Sequence, residues 1–149
     1  MTINAEIEKM TISIEHKRDL IVFYNSYVKT ALWSSTAEDE DDGYTPLDRH
    51  YYPDDIASAT QIEMLLDCYS FLFSHPEDEV TQALGQLPRA ELGKVAHKFW
   101  LNRNGHGAGF WDSEWDINGK DYSADLSARS KKYGTYDLYV GDDDHVYGA

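Results

Sequence analysis

A chain of 149 residues, 42% hydrophobic and carrying 11 Tyr, 5 Phe and 4 Trp, has one domain's length and enough large side chains for a core, which excludes wholesale disorder. Its 27 Asp and Glu against 13 Lys and Arg give a formal charge of −14, a surface that repels nucleic acid and anionic lipid but attracts a basic partner. One cysteine excludes an internal disulfide and points to a reducing compartment, "MTINAEIEKM" lacks a signal peptide's apolar region, and no run approaches the roughly 18 apolar residues of a membrane span.

Residues 1–15 alternate loosely around Ile12 and Ile14, the pattern of a short strand or a frayed lead-in. From His16 to Trp33, spacings of three and four place Leu20, Phe23, Tyr24, Tyr27, Val28, Ala31 and Leu32 on one side, which predicts an amphipathic helix. Residues 34–55 follow as a long acidic loop broken by Gly43, Pro46 and Pro53, functional or mobile. Glu38, Asp39, Glu40, Asp41 and Asp42 are consecutive, and Asp48, Asp54 and Asp55 follow. Against these eight carboxylates stands only Arg49. Five adjacent residues span at most about 18 Å, so their charge spacing is comparable to the roughly 3.4 Å per phosphate of one DNA strand. The solvated-loop reading is that the run serves solubility; the functional reading is that it binds a partner.

From Pro53 a second helix is predicted, with Ile56, Ala59, Ile62, Leu65, Leu66, Tyr69 and Leu72 inward; Cys68, within it, reads as a small buried residue rather than a nucleophile. Short helices are expected from Pro76 to Leu84 and from Pro88 to about Leu101, the latter with Leu92, Val95, Ala96, Phe99 and Trp100 inward. "NRNGHGAGFWDSEW" (Asn102 to Trp115) follows. Its alternate glycines Gly105, Gly107 and Gly109 leave one face of an extended strand bare or permit positive φ, with Trp100, Phe110, Trp111 and Trp115 near enough to cover it. Arg103 and His106 would then flank an aromatic-walled corner, either a packing junction or a pocket completed by Trp111 and Asp112. "DYSADLSARSKKY" is helical and stopped by Gly134, and "YDLYVGDDDHVYGA" forms a hairpin turning across Asp142 to Asp144. The whole predicts a single α+β domain over 1–149: a helical layer of four to five helices and a small, mainly antiparallel C-terminal sheet.

No motif names a reaction. The six histidines never stand at i, i+4, and "DINGKD" resembles a calcium loop whose glycine comes too early and which no Glu closes, so neither a metal nor another cofactor is expected. Asp112 and Asp116 would share a face only on a helix, which the preceding glycines oppose. A nucleophile elbow and a phosphate-binding loop are both missing from the sequence, so the expectation leans away from an enzyme.

"ALWSS" (Ala31 to Ser35), "PLD" (Pro46 to Asp48), "FWLNRNGHGAGFWD" (Phe99 to Asp112) and "YDLYVGDD" (Tyr136 to Asp143) occur in this order. Over residues 24–147 the chain resembles a family of small acidic proteins of tailed bacteriophages and prophages. It departs at Asn102, where relatives often carry Thr, and at Asp144, where they carry a turn glycine. The resemblance implies the cytoplasm of an infected bacterium and an early accessory factor of the kind that blocks nucleic-acid-directed host defence. The expected partner is a host protein with a basic surface, bound by DNA-mimic-like charge through Glu38 to Asp42, Asp48, Asp54 and Asp55. Direct nucleic-acid or membrane binding is not expected. A small enzyme or ligand-binding domain around Arg103, His106, Trp111 and Asp112 is one alternative, and a virion structural or assembly protein is another.

Overall fold

The computed structural model describes residues 2–39, 43–106, 110 and 115–149. Its helices are α1 (Ile3–Glu8), α2 (Ile14–Ser34), α3 (Ser58–Phe73), α4 (Glu79–Gly85), α5 (Arg89–Arg103) and α6 (Ser123–Lys131). Three antiparallel ribbons accompany them: β1 (Thr36–Asp39) with β2 (Gly43–Pro46), β3 (Asp116–Ile117) with β4 (Lys120–Asp121), and β5 (Leu138–Val140) with β6 (Val146–Gly148). The α+β class is as the sequence predicts. The small antiparallel sheet expected near the C-terminus is the β5–β6 ribbon, and the other two ribbons form separate two-stranded sheets.

The N-terminal segment is helical rather than extended. Thr2 caps α1 by accepting from the Ala5 N–H at 3.2 Å, and Ser13 caps α2 by accepting from the His16 N–H at 3.1 Å. Ile3 and Ile7, one helical turn apart, supply the buried face of α1. Helix α2 buries all seven residues expected of it and forms the centre of the fold.

Helix α5 lies along α2 in the same direction. Arg89 bonds Asp19, the Ser26 hydroxyl donates to the Gly93 carbonyl at 2.6 Å, Thr30 meets His97, and the Trp100 indole donates to Ser34 at 2.8 Å. Each partner advances along both helices together, so both C-terminal ends fall on one side of the molecule. Helix α3 runs oppositely, with Phe23 against Phe71 at 5.7 Å near its far end. Phe71 stacks on Phe99 at 4.2 Å, and Tyr133 meets Phe99 edge-on at 5.0 Å, so aromatic rings from four segments fill the centre.

That cluster turns α3 away from the expected face. Met64, Cys68 and Phe71 are its buried centre, whereas Ala59 faces solvent and Leu66 is 54% exposed; Ile62 and Tyr69 are only half-buried. Packing Phe71 between Phe23 and Phe99 outweighs the wider apolar count on the neighbouring face. Nor does the helix begin at Pro53. Residues Pro53–Asp55 make one 3-10 turn, Ile56 is extended and bridges Val146 of β6, and α3 starts at Ser58.

Likewise the segment from 34 to 55 is not an irregular loop. It holds the β1–β2 ribbon, with Thr36 opposite Pro46 and Asp39 opposite Gly43, and the short turns Leu47–Arg49 and Pro53–Asp55. "NG" at Asn118–Gly119 forms the two-residue turn of β3–β4, with φ of +54° and +84°, the type I′ pair that suits a hairpin. The C-terminal hairpin forms as predicted, and Asp144 takes φ of +63°, a region Asp tolerates better than most non-glycine residues.

Candidate binding surface

The glycine-rich motif resolves first, because it fixes where Arg103 and His106 point. Helix α5 ends in a left-handed Gly105, φ +74°. The His106 N–H reaches back to the Leu101 carbonyl at 2.9 Å, and the Gly105 N–H to that of Asn102 at 3.3 Å. This nested pair is a Schellman cap, so "NRNGH" is a helix stop, and of the two conformations expected of Gly105 it takes the positive φ rather than the extended one. Gly107, Gly109, Trp111 and Asp112 lie outside the described residues. Aromatic cover of strand glycine does occur, but at Gly148, where a side chain would collide with the Tyr136 ring.

The cap sends Arg103 and His106 in different directions. Arg103 is 6% exposed and built into the core. Its Nε donates to the Gly134 carbonyl at 2.8 Å, Nη1 to Tyr27 and Asp67 at 2.8 Å each, and Nη2 to the Tyr133 carbonyl at 3.0 Å. The guanidinium also faces the rings of Phe99, Tyr133 and Tyr136 at 5.4–5.7 Å. Arg103 therefore ties α2, α3, α5 and the turn after α6 together and leaves little for a ligand. Asn102 is buried beside it, donating to the Ser127 carbonyl at 3.0 Å and joining α5 to α6. His106 is exposed and lines a depression walled by Trp100 and Tyr136, whereas Arg103 is not part of that lining.

Among the described residues one hydroxyl stands close to an imidazole. Thr30 and His97 lie 2.8 Å apart, but the Thr30 hydroxyl donates to the Ser26 carbonyl at 2.8 Å. The hydroxyl must then accept from Nδ1–H of His97, which makes the pair a clasp between α2 and α5 rather than an activated nucleophile. Burial lowers the His97 pKa and pushes the Cys68 thiol up. Cys68 is wholly buried, as its apolar context predicts. Among the described residues no three His, Cys, Asp or Glu side chains gather as a metal would require. No helix among them is long and apolar enough to cross a membrane.

The fold does join three of the acidic stretches by direct contacts. The Leu47 N–H donates to the Ser35 carbonyl at 2.8 Å, folding the first ribbon back onto the end of α2, and β1 lies against β5. The Ala57 N–H donates to the Val146 carbonyl at 2.8 Å, and the Tyr51 hydroxyl to Asp144 Oδ1 at 2.6 Å. Three segments thus meet at one end of the helical layer. They carry Glu38, then Asp48, Asp54 and Asp55, then Asp142, Asp143 and Asp144. The predicted Glu40, Asp41 and Asp42 lie outside the described residues; Asp39 contributes a backbone position opposite Gly43.

Two of these carboxylates are held by tyrosine hydroxyls. Tyr147 donates to Asp143, and this bond keeps the Asp143 carboxyl below the usual range. The bond to Asp144 in turn raises the Tyr51 phenol to about 12. Asp55 accepts from the Tyr52 N–H at 2.7 Å. Among the described residues none of Glu38, Asp48, Asp54, Asp55, Asp142 and Asp144 has a Lys or Arg ion pair. The Lys and Arg ion pairs seen among the described residues are instead with Glu6, Glu8, Glu15, Asp19, Asp67, Asp78, Glu79 and Glu91, all in or beside helices. The acidic group Glu77 to Glu79 is therefore a separate, largely neutralised patch, with Asp78 on Arg129 and Glu79 on Lys120.

Exposed aromatic rings stand among the unpaired charges. Tyr44, opposite Glu38 in the ribbon, is 74% exposed and Tyr52 is 76% exposed. Tyr139 is about half exposed and stacks on Tyr147 at 5.9 Å. Nothing in the local sequence singles these tyrosines out, since alternation around "YDLYV" only says that one face is outward. At the opposite end a larger groove of about 720 Å³ runs over Leu72, Leu84 and Leu92, but its Arg89 is already taken by Asp19 and Glu15 at 2.9 and 2.7 Å.

Compared with protein-family models, curated proteins and solved structures, the chain matches none.

Proposed function

We propose that this protein is a phage-encoded acidic accessory factor, not an enzyme, that binds a host protein in the bacterial cytoplasm and blocks a basic surface with which that host protein handles nucleic acid. The observation that carries the reading is the convergence of unpaired carboxylates and exposed tyrosines at the hairpin end. Carboxylates without internal cations keep their field available to a partner and steer its approach. Tyrosine adds rigid contact area and a face on which arginine stacks, the combination found at interface hot spots. In this reading the carboxylates take the place of phosphates, so the partner is one that binds DNA or RNA backbone.

Two variants that each remove four negative charges test it. One replaces Glu38 by Gln and Asp48, Asp54 and Asp142 by Asn; the other replaces Glu6, Glu8, Glu77 and Glu91 by Gln. Host proteins retained at low salt by the wild type should be displaced by duplex DNA and by rising salt, and should be lost with the first variant alone. Equal retention by both variants, or no nucleic-acid-binding protein retained at low salt, would sink the proposal.

A further inference from the structure

A depression of about 330 Å³ opens where α2 and α5 end, lined by Ser35, Thr36, His106, Thr135 and Asp137 and walled by Trp100 and Tyr136. Its position follows from the parallel packing of the two helices. Both present their C-terminal ends here, and each brings the negative end of its dipole. Asp137 is fixed on the wall because its N–H and carbonyl both pair with Ala149, at 2.8 and 2.9 Å. Among the described residues its carboxylate has no Lys or Arg ion pair, and the lining holds neither residue type.

The rings are held in place too. The Trp100 indole N–H donates to Ser34, Tyr136 donates to Glu63 at 2.6 Å, and the two rings meet edge-on at 6.4 Å. Arg103 lies behind Tyr136, with its charge matched by Asp67 at 2.8 Å, so it does not oppose a cation in front. His106 and the Tyr136 phenol complete the ionisable groups of the wall. A carboxylate, several hydroxyl oxygens, two helix C-termini and aromatic walls select a cation with N–H donors and repel a phosphate or carboxylate.

We infer that this depression is the receptor for one arginine or lysine side chain, presented by the basic partner at the edge of the acidic surface. The inference rests on the proposed function for the source of that side chain, whereas the chemistry of the depression stands without it.

The test uses the full chain labelled with ¹⁵N and titrated with blocked amino acids: N-acetyl-arginine amide, N-acetyl-lysine amide and neutral N-acetyl-norleucine amide. The two cationic probes should give saturable shifts at the amides of Ser35, Thr36, Thr135 and Asp137, and the norleucine probe should not. Asp137→Asn should weaken the arginine probe roughly tenfold or more, Thr135→Val by less, and Asp48→Asn not at all. The inference is overturned by an equal response to norleucine, by no effect of Asp137→Asn in a variant whose remaining spectrum is unchanged, or by binding of a free diamine with exclusion of the blocked arginine. If Asp137→Asn leaves partner capture intact while the four-charge hairpin variant abolishes it, this inference fails and the proposed function stands. If the arginine probe binds at Asp137 but no basic partner is captured, the reverse holds.

Discussion

The helical layer and the hairpin end carry the same kind of charge and treat it in opposite ways. Along the helices, carboxylates meet cations one turn away or across a helix pair, as Glu91 meets Lys94 and Asp19 meets Arg89. At the hairpin end, carboxylates from three distant stretches are brought together, and where they accept a hydrogen bond it comes from tyrosine or backbone rather than from Lys or Arg. Net charge therefore says little until pairing is known. A charge that is paired contributes mostly to register and orientation, while one left unpaired contributes to what approaches from outside.

The largest effect is expected where pairing is most buried. Arg103→Ala should destabilise the fold by about 3–5 kcal/mol in urea titration, because it strands Asp67 and two carbonyls that now share one guanidinium. Arg103→Lys should recover little of this, since an ammonium cannot reproduce the fork. A loss below about 1 kcal/mol would erase the contrast between the two regions. Next, the hairpin variant lacking Glu38, Asp48, Asp54 and Asp142 should keep or slightly gain stability, because it relieves repulsion and breaks no ion pair, while partner capture falls at least roughly tenfold. Coupled loss of stability and capture would mean that the charges are structural after all.

The response to pH should separate the regions more gently. Tyr51 in the native state titrates at about 12, against an ordinary value of 10.0. Its protonated form is favoured by folding, so that contribution is present below pH 10 and is lost as pH rises from 10 towards 12. Tyr51→Phe should flatten the alkaline limb of a stability profile. Asp143 shifts the other way: its carboxyl is lowered by Tyr147, so its contribution is full above the ordinary aspartate value and is lost as pH falls through the native one. In an NMR titration Tyr147→Phe should move Asp143 back up; an unchanged midpoint would remove the bond from the account. The smallest effect tests the rotation of α3. Leu66→Ser should cost within about 0.5 kcal/mol, whereas Met64→Ala should cost about 2–5, and equal losses would restore the face predicted from sequence.

Much of the fold was legible because its signals are local. Helix α2 buries the residues its spacing selects, α5 starts after Pro88 and buries Leu92, Val95, Ala96, Phe99 and Trp100, and the last hairpin turns across Asp142 to Asp144. The face of α3 was misjudged because Ile62 and Leu66 are as apolar as Met64 and Phe71, and the choice between them is made by Phe23 and Phe99, distant in the chain. At Gly105 the sequence left two conformations open for a related reason. A glycine after a helix and a glycine in a strand look alike in sequence, and only the carbonyls that Gly105 and His106 find distinguish them.

The candidate site divides along the same line. By itself the sequence determined that the chain is strongly acidic, that half of that excess lies between Thr36 and Asp55, and that Cys68 belongs inside, because composition and periodicity are properties of the chain alone. Only the tertiary structure decided that Asp142 to Asp144 join that segment, that Glu77 to Glu79 do not, and that Arg103 is core while Asp137 lines a depression. Those outcomes depend on which elements lie side by side. The direction of α5 along α2 and the docking of β6 beside Ile56 are set by long-range packing, which no local spacing records.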